Sequence, residues 1–136
     1  MKRYNKVLKS RHAKGKIMLV WDETDVLAVL EVLPEVERDG IWHQYVAEKD
    51  GIQLKVTIYQ YDGDVRFELT NLGDGQSLFT MRLIDCEGVH RTFENDNEYL
   101  DFAPSKCFGS RYDGEQSIPF GIRIRVNPSI NISVYG

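Results

Sequence analysis

Apolar and polar residues alternate along much of this chain, as they do in β-strands with one buried face. An Asp-Gly pair recurs between the alternating stretches, at 39–40, 50–51, 62–63, 74–75 and 113–114. Both residue types tolerate the positive φ that tight hairpin turns demand. Turns recurring roughly every 8–12 residues predict an antiparallel, all-β arrangement.

Register can be read at two places. A two-residue turn at Asp62-Gly63 pairs Ile58 with Phe67, Val56 with Leu69 and Leu54 with Asn71 on an apolar face. The opposite face then pairs Tyr59 with Arg66, Thr57 with Glu68 and Lys55 with Thr70, as a half-buried hairpin requires. Near the C-terminus, a three-residue turn of Asn127-Pro128-Ser129 pairs Val126 with Ile130, Ile124 with Ile132 and Ile122 with Val134. Residues 17–21, 41–48, 78–84 and 89–93 read as further strands. Residues 94–112 read as irregular, with a short strand at 99–102.

Residues 26–33 lack alternation. Leu27 and Leu30 share a helical face, Thr24 or Asp25 offers a cap, and Pro34 ends the segment near Leu33. The expected fold is therefore mainly β: an antiparallel sandwich or meander, read as two packed sheets with one short N-terminal helix. The alternative is an α+β domain with that helix packed on a single antiparallel sheet.

Charge divides the chain into a basic N-terminal arm, residues 1–15, and a single β-rich domain, residues 16–136. Residues 1–16 hold seven basic side chains and no acidic one. The remaining 120 residues hold ten basic against 21 acidic side chains, a net of −11. Such an arm can bind nucleic acid, but the favoured reading is a solvated terminus that touches its own acidic domain. The apolar runs at 17–21 and 26–33 fall short of the roughly 18 residues that span a bilayer. No membrane contact and a cytoplasmic location are expected. Cys86 and Cys107 form no Cys-x-x-Cys pair and are read as buried thiols, a disulfide between them being the less favoured outcome.

Candidate chemistry is sparse. Asp85, Cys86 and His90 would form a cluster if Glu87-Gly88 were a hairpin turn setting Asp85 opposite His90. The imidazole could then be oriented for a Cys86 thiolate. Adjacent strand residues point to opposite faces, however, which works against convergence. Glu94, Asp96 and Glu98 alternate in an acidic loop whose oxygens suit calcium, although Tyr99 and Ser105 stand where an EF-hand needs Gly and Glu. His43 faces Ile58 if Asp50-Gly51 makes a two-residue turn, whereas a bulged turn puts Trp42 there; a hydrogen-bonded core histidine is favoured over a ligand. No motif calls for a cofactor.

Tyr59, Tyr61 and Arg66 are expected together on the amphipathic face of the central hairpin, beside Lys55 and Thr57. Tyr and Arg dominate the energetic centres of protein interfaces. The competing reading has the short helix covering that face. The function expected first is a small non-catalytic binding or accessory protein acting through a protein partner or self-association. A carbohydrate- or calcium-binding sandwich comes second, and a small enzyme using the Asp85, Cys86, His90 cluster third.

Overall fold

The computed structural model describes residues 19–102 and 121–135. Helix α1 (Glu23–Leu30) precedes strands β1 (Glu35–Val36), β2 (Trp42–Lys49), β3 (Ile52–Tyr59), β4 (Asp64–Asn71) and β5 (Ser77–Leu83). Strands β6 (Val89–Glu94), β7 (Asn97–Phe102), β8 (Gly121–Arg125) and β9 (Asn131–Tyr135) follow. The first five strands form one antiparallel sheet and the last four another, each in sequence order. The protein is thus mainly β, with two antiparallel sheets and one short helix.

Alternation builds the core. Tyr45, Val56, Phe67 and Met81 stand in one cross-strand row of the five-stranded sheet. Leu100, Ile124 and Ile132 form a row of the other. The Phe67 and Phe102 rings meet edge to face, with centroids 4.9 Å apart, and tie the two inner faces together. Both rings are fully buried.

The four Asp-Gly pairs within the described residues all lie at turns, with Gly40, Gly51, Gly63 and Gly75 at φ between 74° and 80°. The fifth pair, 113–114, lies outside the described residues. At 50–51 both residues have positive φ, and Lys49 pairs directly with Ile52, as a two-residue turn requires. The turn at 62–63 corrects the expected register. Its loop holds four residues, 60–63, because the Asp62 and Gly63 N–H groups both donate to the Tyr59 carbonyl, at 3.2 and 3.0 Å. Tyr59 pairs with Asp64, Ile58 with Val65, Val56 with Phe67 and Leu54 with Leu69. The slip is two residues, so every side chain keeps its expected face but takes a different partner. The C-terminal hairpin has the expected pairing: Ile124 opposes Ile132 and Ile122 opposes Val134.

The helix begins and ends earlier than expected. Asp22 is its cap, the carboxylate accepting from the Thr24 N–H at 2.8 Å, and Glu31 in a left-handed conformation closes it well before Pro34. Val26, Val29 and Leu30 are buried. The helix packs on β6 and β7, while Glu23 in its first turn reaches towards His43 of β2. It therefore closes one side of the core and does not lie on the outer face of β3 and β4.

Residues 19–21 form no strand, in contrast to the expected one at 17–21. Val20 makes only an isolated parallel bridge to Gly88. The segment still links the sheets: Leu19 N–H donates to Gln60 O, Val20 N–H to Glu87 O, and Val89 N–H to Val20 O, each at 3.1 Å. The basic arm and Cys107 lie outside the described residues.

Candidate functional site

The outer face of the five-stranded sheet gathers the polar half of each alternating strand. Tyr59, the last residue of β3, stands opposite Asp64. One pair further along, Arg66 stands opposite Thr57, with Arg82 of β5 on its other side. Tyr59, Asp62, Asp64, Arg66 and Arg82 line a cavity of about 140 Å³. Two guanidinium groups directly opposite each other repel. Asp64 relieves this by accepting from Arg82 Nη2 at 2.6 Å, and that bond raises the Arg82 pKa further. Arg66 is exposed and makes no ion pair among the described residues.

Of the expected trio, Tyr59 and Arg66 share this cavity. Tyr61 stands just beyond it. The four-residue loop takes Tyr61 out of the strand, half exposed, with its hydroxyl beside Gly40. Gln60 anchors the same loop by donating to the Gly40 carbonyl at 2.5 Å and accepting from Trp21 Nε1 at 3.2 Å. Thr57 lies on this outer face yet is buried, where its hydroxyl accepts from Gln44 Nε2. Arg82 was missed in the sequence. It was readable as the polar residue between Met81 and Leu83, but only the β4–β5 register brings it to Arg66.

The structure does not assemble the other expected clusters. Residues 84–88 are a crossing between the sheets and not a hairpin turn, since Leu83 ends one sheet and Val89 begins the other. Cys86 is buried with its Sγ donating to the Gly88 carbonyl at 3.4 Å, while His90 pairs across strands with Asp101. The acidic loop is a two-residue turn with Asn95 and Asp96 both at positive φ. Glu94 and Glu98 consequently point to opposite faces, Glu94 pairing with Arg123 at 2.6 Å and Glu98 with Arg91. No cluster of three or more metal-ligating side chains forms among the described residues.

A polar network covers the outer face of the four-stranded sheet. Arg123 donates from Nε and Nη2 to the buried Asp101 carboxylate at 2.7 and 2.9 Å, and its charge stacks 4.7 Å from the Tyr99 ring centroid. The Asp101 hydrogen bond is the main cause holding the Arg123 pKa above its ordinary value. These groups saturate one another, which gives this face a structural role. A groove of about 400 Å³ runs from the end of the helix to the β6–β7 and β8–β9 turns, with Glu31, Phe93, Asp96 and Glu98 on its walls.

No helix among the described residues is long and apolar enough to cross a membrane. No protein-family model and no curated protein matches the chain's sequence. Its fold is similar to that of a chain from the contact-dependent growth inhibition toxin–immunity protein complex of Klebsiella pneumoniae 342. The two are 16% identical with a TM-score of 0.70, over 88% of this chain and 96% of that one.

Proposed function

We propose that this protein is a non-catalytic binding partner of the immunity type, which holds and silences another protein through the outer end of its five-stranded sheet. The observation that carries the reading is the open surface at Tyr59, Tyr61 and Arg66. The helix lies elsewhere, Tyr61 is 50% exposed, and Arg66 is exposed beside a small cavity. A rigid aromatic side chain and a guanidinium with no ion pair among the described residues, set around a hollow, are what energetic centres of interfaces are made of. The similar chain comes from a toxin–immunity complex, which supports a working life in complex with a protein. The acidic body, net −11 over residues 17–136, favours a basic partner and fast, salt-sensitive association.

The test places a photo-crosslinking residue at position 61 in living cells, with position 92 on the opposite sheet as control. One defined partner is expected from position 61 and none from 92. Tyr61→Ala and Arg66→Ala should each weaken binding of that purified partner by about 1–2 kcal/mol or more while leaving melting unchanged. Loss of stability without loss of binding would overturn the reading.

A further inference from the structure

Among the described residues, strand β5 is an edge of its sheet. It pairs with β4 on one side and with no other strand among the described residues. Its residues 77–80 are exposed on both faces, with Leu78 at 52% and Phe79 at 37%. Within β5, residues 78–83 read Leu-Phe-Thr-Met-Arg-Leu, with one charge and no proline or lysine. Proteins ordinarily blunt a bare edge with Lys, Pro, a bulge or an inward charge, because unpaired N–H and C=O groups template another strand. Here the only such device is a bulge at one end of β5. The only charge here, Arg82, is turned to the outer face and held by Asp64. A register shift between Leu69 and Thr70 of β4 displaces Leu78, which leaves residues 79–83 as the regular stretch.

We infer that β5 pairs antiparallel with β5 of a second copy of this chain, about a two-fold axis at Met81, giving one continuous ten-stranded sheet. The self-complementarity of the sequence identifies the occupant. About that axis Phe79 falls opposite Leu83 and Met81 opposite itself, so the inner-face row is apolar throughout. Thr80 falls opposite Arg82, so no like charges oppose. The axis is perpendicular to the sheet and leaves both copies of the Tyr59–Arg66 surface on the same side. The inference is independent of the proposed function, since β5 pairing uses the edge and not the outer face.

Thr80 reads the register. It is exposed and pairs with Glu68 inside the protomer, so Thr80→Lys favours the protomer and Thr80→Glu slightly disfavours it. Across the dimer the signs reverse, because position 80 faces Arg82 of the other copy, twice per dimer. Sedimentation equilibrium of the full chain should show a concentration-dependent dimer. Thr80→Glu should tighten it about three- to tenfold and Thr80→Lys should weaken it by a similar factor, while thermal melting of dilute protein reports the opposite order. A monomer at all concentrations up to the hundreds of micromolar overturns the proposal. So does a dimer that both substitutions weaken, or that neither alters.

Discussion

His43 is 95% buried at the helix side of β2, its ring edge-on to Trp21 at 4.9 Å. The sequence reading expects a core histidine but leaves either His43 or Trp42 opposite Ile58, according to the turn at 50–51; that turn holds two residues and sets His43 there. The expected hydrogen bond is absent at Nδ1, which has no partner among the described residues. Nε2 lies 3.8 Å from the exposed Glu23 carboxylate. Burial pushes the imidazole pKa below its ordinary 6.5, and Glu23 offsets only part of that. The folded state thus binds fewer protons than the unfolded chain. The resulting stability is fully present above about pH 6.5 and is lost as pH falls below it towards the lowered pKa. Urea unfolding at pH 7.5 and 5.5 should show that loss in the native protein, and His43→Gln should flatten it. An equal slope in both proteins would place the titrating group elsewhere. Alternation marks the face of this residue, but Trp21 and Glu23, which define its surroundings, arrive from outside the sheet.

Among the elements, those fixed by local chemistry are the ones the sequence discloses. The Asn127-Pro128-Ser129 hairpin follows from alternation and turn residues, and the Asp50-Gly51 pair marks a turn whose length of two residues comes from the structure. The turn at 62–63 carries the same dipeptide but a longer loop, because Gly63 is buried and its carbonyl accepts the Cys86 N–H at 2.7 Å. That partner is 23 positions away in the chain, beyond the reach of a hairpin rule. The same lengthening moves Tyr61 off the strand, so part of the candidate site shifts with it. The helix shows the opposite case. The sequence offers Thr24 or Asp25 as the cap; the structure instead uses Asp22, with Glu23 and Asp25 in the first turn facing the positive end of the helix dipole. Asp22→Ala should cost about 1 kcal/mol in chemical denaturation. An unchanged midpoint would mean that packing of Val26 and Leu30 holds the helix without its cap.

At the scale of the whole molecule, both sheets are built from sequence neighbours, and one segment joins them. Every neighbour in the five-stranded sheet is also the next strand in sequence, joined by a short turn. The segment at 19–21 instead bonds Gln60 in the β3–β4 loop of one sheet, and Glu87 and Val89 at the start of the other. It can close only after both are in place. Loop closure favours the local hairpins first, so the strap belongs to the last step of folding and the first of unfolding. Phe67→Ala, in the centre of the meander, should cost about 3–5 kcal/mol and slow refolding. Leu19→Ala removes a side chain only 4% exposed, yet should leave the refolding rate nearly unchanged and accelerate unfolding. Stopped-flow chevrons of the two variants separate these outcomes; equal slowing of refolding would place the strap in the folding nucleus. On this account three residues ahead of the helix govern the lifetime of the native state, and the meander governs the speed of its formation.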